Sequence, residues 1–165
     1  MQNNLLGILS DTHDNRNTII KAVEIFNKKG TGLVAHAGDF IAPFTALDFK
    51  QLACPMEMVF GNNDGEKIGL QTAFRELGNL MQGPRSFCFG GKRFLLMHED
   101  NCLDVVGSSA DVDVILYGHT HSVDIRRGSP LIINPGEAGG WLHGKATIAV
   151  LDIETMEVEV IDLKP

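Results

Sequence analysis

Seven side chains of the kinds that bind divalent metal ions follow short apolar runs in this sequence. Each run of about five residues ends at one or two of them, namely Asp11 and His13, Asp39, Asn62, His98, and His119 and His121. Short apolar runs of this kind are typical of buried strands. Ligands of an open α/β sheet bind beyond the carboxyl ends of its strands. The pattern therefore predicts one site, with the chemistry of hard-to-borderline divalent metals.

The number of these side chains indicates how many ions the site holds. Two carboxylates, one amide and four imidazoles are too many for a single tetrahedral zinc ion. They suit two adjacent ions that share one bridging carboxylate. Such pairs, roughly 3.5–4 Å apart, clamp a phosphoryl oxygen and generate hydroxide near neutral pH. Gly38, Gly61 and Gly118 each precede a predicted ligand, where glycine permits a turn and lets the backbone approach a bound ion closely.

Each motif taken alone has a simpler interpretation. Asp11-Thr12-His13 after a strand suits a helix N-cap, and Gly61-Asn62-Asn63-Asp64 is typical of a turn. Gly118-His119-Thr120-His121 is the most specific, because two histidines at i and i+2 after a buried strand rarely serve packing. Their joint occurrence in this order favours a metal site over separate caps and turns.

The bulk composition narrows the class of protein. A length of 165 residues predicts one domain over 1–165, and the apolar (44%) and charged (21%) fractions are those of a soluble globular protein. A net charge of −7 argues against binding of nucleic acid by bulk electrostatics. The lack of a membrane-length apolar run or a basic leader predicts a cytoplasmic protein. Cys54, Cys88 and Cys102 form no CxxC, so we expect reduced thiols in apolar surroundings.

The order of predicted elements indicates the fold. The first half alternates strands with helices, and a hairpin through Gly90-Gly91 opens a half that is mostly strands. Predicted strands cover about 4–10, 33–37, 56–60, 86–89, 92–97, 113–117, 123–127, 131–133, 146–152 and 156–163, and predicted helices cover 15–29, 42–52, 66–77 and 102–108. The expected fold class is α/β, with two packed β-sheets flanked by helices in an α/β/β/α sandwich and the metal edge where the sheets meet.

With these motifs in place, the chain resembles the calcineurin-like metallophosphoesterase superfamily, and most of all its short, cap-less archaeal and bacterial phosphodiesterases. The family pattern of Asp-x-His, Gly-Asp, Gly-Asn-x-Asp, His and Gly-His-x-His is matched in order, at Asp11-Thr12-His13, Gly38-Asp39, Gly61-Asn62-Asn63-Asp64, His98 and Gly118-His119-Thr120-His121. The match runs from the first strand to about Gly136, and the trailing strands suit the family's second sheet.

The resemblance implies a division of labour among the seven ligands. One ion is expected on Asp11, His13, Asp39 and His121, and the other on Asp39, Asn62, His98 and His119, with Asp39 bridging. A metal-bound hydroxide then attacks phosphorus in line. Catalytic roles are expected for Asp39, Asn62, Asn63 and His98. Manganese is the preferred metal, with nickel, iron, cobalt and zinc also compatible with mixed nitrogen and oxygen ligation.

Three positions depart from the family pattern. Asn63 stands where many family phosphatases have histidine, and an amide cannot donate a proton to a leaving oxygen, although it can hydrogen-bond a phosphate. Glu99 follows His98 where many members have glycine, and Asp100 comes next. These two carboxylates could repel an anionic substrate, bind a metal weakly or point to solvent, and we expect them to point to solvent. Glu137 replaces the serine of the usual Asn-Pro-Gly-Ser loop.

Other polar residues have weaker assignments. His36 lies within a predicted strand, and we expect a hydrogen-bonded core histidine rather than a residue that supports the ligands. His143 is expected in a surface loop. Arg16, like Asn63, is a candidate substrate contact, because it follows the first motif; a solvated helix start is an equally good interpretation.

The leading hypothesis is a metal-dependent phosphodiesterase that acts on a small or exposed phosphate ester, without nucleic-acid or membrane partners. One alternative is a non-catalytic scaffold like the retromer subunit that shares this fold, and intact ligands argue against it. A nuclease is a further alternative, which the lack of a basic stripe disfavours. Exposed sheet edges make a homodimer a reasonable expectation.

Overall fold

The chain folds into two β-sheets and four α-helices in the computed structural model, which describes residues 4–101, 103–109 and 111–163. The strands are β1 Leu5–Leu9, β2 Leu33–His36, β3 Met56–Val59, β4 Gly78–Met81, β5 Arg85–Phe89, β6 Lys92–Leu96, β7 Val114–Leu116, β8 Val123–Arg126, β9 Leu131–Pro135, β10 Thr147–Asp152 and β11 Val158–Asp162. The helices are α1 Arg16–Lys29, α2 Ala46–Phe49 (preceded by a 3₁₀ turn at Pro43–Thr45), α3 Lys67–Phe74 and α4 Leu103–Ser109.

The first sheet has the strand order β11-β10-β1-β2-β3-β4. Strands β1 to β4 run parallel, whereas β10 and β11 are antiparallel additions at one side. Strands that run parallel must be joined by crossover connections, and α1 and α3 supply two of them. The carboxyl ends of β1, β2 and β3 therefore meet at one edge, where the first four predicted ligands follow.

The second sheet has the strand order β5-β6-β7-β9-β8. Its central strands β6, β7 and β9 are parallel, and β5 and β8 pair antiparallel at its two edges. His98 follows β6, and His119 and His121 follow β7. The second sheet thus supplies the remaining three predicted ligands from its own carboxyl edge.

Alternating burial along the strands creates the layers. One set of buried side chains, including Leu6 and Ile8 of β1 with Phe94 and Leu116, fills the space between the two sheets. A second set joins the other face of the first sheet to α1, α2 and α3. A third, around Ile115 and Tyr117, joins the second sheet to α4. The predicted α/β/β/α sandwich is confirmed.

Several local predictions need correction. The sequence does not predict strand β4, because Gly78-Asn79-Leu80-Met81 has no β-branched residue and only Leu80 is buried. This segment becomes a strand through its hydrogen bonds to β3. In place of the helix predicted over 42–52, the structure has a 3₁₀ turn at Pro43–Thr45 followed by the short helix α2. The predicted hairpin is confirmed, with Gly90 and Gly91 at φ values of 56° and 76° in the turn between β5 and β6.

Two of the three cysteines can be compared with expectation. Cys54 is unpaired and partly buried against the helical core, as expected, but Cys88 is exposed on an edge strand, so apolar surroundings were the wrong prediction for it. Cys102 lies outside the described residues. Within the described chain, none of the helices is long and apolar enough to cross a membrane.

Candidate metal centre

The seven predicted ligands converge at the edge where the two sheets meet. Four of them, Asp11, His13, Asp39 and His121, bring one donor atom each to within 4.8 Å of all the others. Nε2 of His13 lies 3.4 Å from Oδ2 of Asp39, and Nε2 of His121 lies 3.4 Å from Oδ1 of Asp11. Loops from both sheets therefore contribute to this first donor group.

A second donor group lies beside the first and shares Asp39 with it. Oδ1 of Asn62 lies 2.8 Å from Nε2 of His98 and 2.9 Å from Nδ1 of His119. Nε2 of His98 is in turn 3.5 Å from Oδ2 of Asp39. These donors are the ones that the sequence assigned to a second ion, and Asp39 is common to both groups.

Unpartnered polar atoms test whether this arrangement fits a metal ion. Oδ1 of Asp11 and Nε2 of His13 are buried and have no hydrogen-bond partner in the described structure. Buried polar atoms without a partner are rare, and an ion is one of the standard explanations. Carboxylate oxygens and imidazole nitrogens are suitable donors for divalent metals. The donor set therefore fits divalent-metal binding.

The backbone at this edge adopts a conformation that most residues avoid. Five of the seven predicted ligands have a positive φ, between 40° and 67°, namely Asp11, His13, Asp39, His119 and His121. Such conformations cost on the order of 1–3 kcal/mol each and cluster at functional sites. Neighbouring Ile41, with φ at 86°, is more unusual still because its side chain is β-branched. The surrounding contacts must hold these loops in place.

Asp64 provides one of those contacts. Its buried carboxylate accepts hydrogen bonds from four backbone N–H groups, those of Asp39, Phe40, Ile41 and Gly61, at 2.7–3.0 Å. Burial raises the pKa of Asp64, against the opposing effect of these N–H groups. Asp64 thus fixes the strained loop that carries Asp39 against the loop that carries Asn62. In the sequence, Asp64 is only the last residue of the Gly-Asn-x-Asp motif, with nothing to indicate these hydrogen bonds.

Two glycines allow the loops to approach one another. A Cβ at Gly61 would lie 2.1 Å from Oδ1 of Asp39, and one at Gly118 would lie 1.9 Å from Oγ of Ser10. Both distances are far below van der Waals contact. Any side chain at either position would therefore displace a ligand-bearing loop.

His36 is buried and hydrogen-bonded, as expected. Its Nδ1 accepts the N–H of Gly38, its Nε2 lies 3.2 Å from Oγ1 of Thr12, and its ring stacks on Phe40. Burial lowers the pKa of His36 well below its ordinary value, so the ring is neutral. These contacts also support two ligand-bearing loops from the core side, which is the role that was the less expected one for His36.

Mutual electrostatics shape the ionisation of the donors. Burial would raise the pKa of Asp39, but hydrogen bonding to His98 and Asn63 lowers it below the usual range. Burial would likewise lower the pKa of His98, and Asp39 raises it above the ordinary value. Asp11, whose carboxylate is 3.8 Å from Nε2 of His13, raises the pKa of that histidine. Imidazoles and carboxylates thus stabilise each other's charged forms.

The remaining predicted residues have mixed surroundings. The side-chain amide of Asn63 donates to Oδ2 of Asp39 at 2.7 Å, which places it within the cluster. Arg16 forms a two-point ion pair with buried Asp48, at 2.8 and 2.7 Å, so a carboxylate already engages its guanidinium. Glu99 and Asp100 are exposed, as expected for side chains directed to solvent, and His143 is exposed in its loop.

Two neighbours of the cluster have a larger part in the structure than the sequence indicated. Buried Glu137 lies 3.3 Å from Nδ1 of His121, and the indole N–H of exposed Trp141 donates to the backbone carbonyl of His13 at 3.0 Å. For the contact of Glu137 with His121, the only indication in the sequence was that glutamate replaces the serine of the usual family loop. The sequence gave no indication of the contact of Trp141 with His13, because these residues lie 128 positions apart.

Comparison with known proteins decides the family. The model of the calcineurin-like phosphoesterase superfamily domain matches residues 5–156, which includes all seven donors. The chain belongs to the calcineurin-like phosphoesterase superfamily.

Relatives of this phosphoesterase include archaeal proteins. A protein named phosphodiesterase from Methanocaldococcus jannaschii is 37% identical over 164 residues, which cover 96% of this chain and 99% of the relative. The solved structure of an archaeal phosphodiesterase superposes with a TM-score of 0.91 at 35% identity, covering 96% and 99% of the two chains. A zinc complex of Vps29 from Entamoeba histolytica, at 17% identity and a TM-score of 0.67 over 97% and 99% of the chains, shares the fold.

Replacing Asp64 tests its support of this phosphoesterase site. Asp64→Ala leaves four backbone N–H groups without their acceptor, and we expect the free energy of unfolding to fall by about 2–5 kcal/mol. Asp152→Ala is the matched control, because Asp152 accepts two backbone N–H groups in an exposed turn where water can replace it. Urea denaturation of both variants measures the difference. Equal losses would show that the Asp64 contacts have no special weight.

Proposed function

We propose that this phosphoesterase is a phosphodiesterase that uses two divalent ions to hydrolyse a small phosphate ester. The observation that carries the proposal is the meeting of two donor groups at one carboxylate, Asp39. The similarity to the archaeal phosphodiesterases over nearly the whole chain supports the reaction class. We take residues 1–165 to be a single phosphoesterase domain.

The proposed ligand sets follow the two donor groups. Asp11, His13, Asp39 and His121 hold one ion, and Asp39, Asn62, His98 and His119 hold the other. The tautomer of His98 supports this assignment. Its Nδ1 lies 2.7 Å from the carbonyl oxygen of Ala37 and must donate to it, so the lone pair of the neutral ring lies on Nε2, which faces the cluster.

When bound, the ions supply a reactive water molecule near neutral pH and neutralise charge on the phosphate. We propose manganese first among the metals that this mixed donor set accepts. The protein fixes the geometry before substrate arrives, because its ligand loops are held by buried contacts such as those of Asp64. Preorganised groups of this kind lower the cost of reorganisation during the reaction.

Asn63 and Arg16 are the proposed substrate contacts. The amide of Asn63 already donates to Asp39, so a bound phosphate oxygen would be the natural acceptor once metal ions take the carboxylate. A phosphate at Arg16 would compete with Asp48 for the guanidinium, which makes this contact the weaker of the two.

A cavity beside the cluster supports a small ester. It has a volume of about 370 Å³ and is lined by Asn62 and His98, by apolar residues that include Phe60, Pro84 and Met97, and by the charged residues Lys67 and Glu99. This volume lies in the range of small-molecule sites. With phosphorus at the metal centre, one ester group would extend into this partly apolar space.

A scaffold without catalysis is the second candidate, because Vps29 proteins share the fold. The intact donors and the strained backbone that presents them favour an enzyme, since a scaffold gains nothing from this strain. A nuclease is disfavoured by the net charge of −7. Cytoplasmic location and a homodimer remain predictions. A screen of metal-reconstituted protein over phosphomonoesters, diesters and nucleotides tests the function, and inactivity on all of them would favour the scaffold.

Metal addition should stabilise the protein and fill two positions. Manganese at a hundred times the dissociation constant of each site would add about 2.7 kcal/mol per site to the free energy of unfolding, because the unfolded chain has no preformed site. Thermal melts with and without metal measure this, and anomalous scattering from manganese-soaked crystals counts the ions. A single ion, with Asn62, His98 and His119 free at full occupancy, would contradict the two-metal proposal.

Asp39→Ala and His36→Ala should separate catalysis from stability. Asp39→Ala removes the shared donor, and we expect hydrolysis to be abolished. His36→Ala leaves the buried N–H of Gly38 unpaired, and we expect a loss of about 1–3 kcal/mol in the free energy of unfolding with activity largely kept in the folded fraction. Kinetics and melts on both variants measure this. An equal loss of activity in fully folded His36→Ala protein would give His36 a direct part in the site.

Position 63 should set the preference between diesters and monoesters. The leaving side lacks an evident proton donor, and general-acid help is typically worth about 10²–10⁴-fold. We therefore expect activated diesters to be preferred over alkyl phosphomonoesters, and Asn63→His to raise monoesterase turnover more than diesterase turnover. The measurement is kcat/KM for both substrates in both proteins at equal metal occupancy. If wild type favours alkyl monoesters, another group supplies the proton.

A further inference from the structure

Glu137 is a buried carboxylate to which the proposed reaction gives no role. It follows β9 in the loop after Gly136, and only 1% of it is exposed. Its Oε1 accepts the N–H of Trp141 at 2.7 Å, and its Oε2 accepts the N–H of Leu142 at 3.1 Å. Both hydrogen bonds tie the loop over residues 137–142 together beside the metal centre.

The charge of Glu137 lacks the usual compensation. In the described part of the chain, no lysine or arginine lies within 4 Å of its carboxylate, and the only basic group at that range is the imidazole of His121. A buried charge without a partner is costly, so such groups are normally paired. The imidazole N–H of His121 is the donor that remains available.

His121 has two ring nitrogens in two different surroundings. Nε2 faces Oδ1 of Asp11 at 3.4 Å, inside the first donor group. Nδ1 faces Oε2 of Glu137 at 3.3 Å, is buried, and has no aligned hydrogen-bond partner in the described structure. A small rotation of the ring would complete a hydrogen bond to Glu137. A proton on Nδ1 leaves the Nε2 lone pair free for an ion.

The same arrangement occurs at His98 with a different acceptor. There the carbonyl of Ala37 takes the Nδ1 proton at 2.7 Å, and Nε2 is directed at the cluster. One histidine from each of the loops that follow β6 and β7 is thus presented to the cluster through Nε2, with an oxygen behind its Nδ1. Oxygen acceptors behind metal-binding histidines fix the tautomer and raise ligand basicity.

We propose that Glu137 is a positioning residue, which accepts a hydrogen bond from Nδ1 of His121 and thereby holds Nε2 of that histidine toward Asp11 for metal binding. The inference rests on the proposed metal-dependent function and deepens it. It also gives a reason for glutamate where the family loop usually has serine. The competing explanation is that Glu137 only anchors the backbone of Trp141 and Leu142.

Glu137→Gln distinguishes these two explanations. The amide oxygen can still accept from the loop N–H groups, but its NH₂ group then faces Nδ1 of His121 and donates to it. That reversal favours the tautomer with the proton on Nε2, which cannot bind a metal. We expect manganese affinity, measured by calorimetry, to fall by about 10–100-fold. Glu57→Gln is the matched control, because Glu57 is a partly buried carboxylate that pairs with Arg85 away from the cluster.

Ring nitrogen-15 spectra of the metal-free protein give a readout that an anchoring role would not change. In wild type at a pH where His121 is neutral, we expect Nδ1 to carry the proton and Nε2 to resonate as an unprotonated nitrogen. In Glu137→Gln we expect the proton on Nε2 and the resonance of an unprotonated nitrogen at Nδ1. A wild-type His121 protonated on Nε2 overturns the proposal even if the variant fails to fold. So does a folded Glu137→Gln protein with unchanged tautomer and metal affinity.

The two readouts also separate this inference from the proposed function. If wild-type protein binds none of manganese, nickel, iron, cobalt and zinc, the metal-dependent function fails, whatever the spectra show. If wild type binds manganese and His121 has the opposite tautomer, only the role of Glu137 fails.

Discussion

Asp39 is the carboxylate on which both donor groups depend, and its position requires support from several directions. It is almost fully buried, has a positive φ, and lies close to His13, His98 and Asn63. A carboxylate in this position is stable because imidazole and amide groups surround it and because Asp64 holds the backbone on either side. In the proposed enzyme, bound metal ions would stabilise the charge of this carboxylate in place of the imidazole and amide groups.

The junction of the two sheets explains why this site has donors on several sides. The loops that follow parallel strands of the first sheet carry Asp11, His13, Asp39 and Asn62, and those that follow strands of the second carry His98, His119 and His121. The apolar layer between the sheets keeps the two edges in register. Packing between the sheets therefore sets the distances between donors that follow strands of different sheets, and a loosened core would change those distances.

Hydrogen bonds behind the ligands hold in place the loops that carry them. Ala37 offers its carbonyl to His98, His36 takes the N–H of Gly38, and Asp64 takes four N–H groups of the adjoining loops. Glu137 fits the same scheme at His121. Each contact fixes a donor or the loop that carries it, and a site formed by loops gains rigidity from such support.

Four features could be predicted from the sequence, namely the donor types, their order after the strands, the glycines between them and the two-sheet sandwich. These follow from local patterns, since apolar runs, turn residues and motif spacing all act over a few positions. Other features depended on tertiary structure, namely strand β4, the hydrogen bonds of Asp64, the contact of Trp141 with His13 and that of Glu137 with His121. They join segments with no pattern of their own or far apart in the chain, and only packing brings such segments within reach of one another.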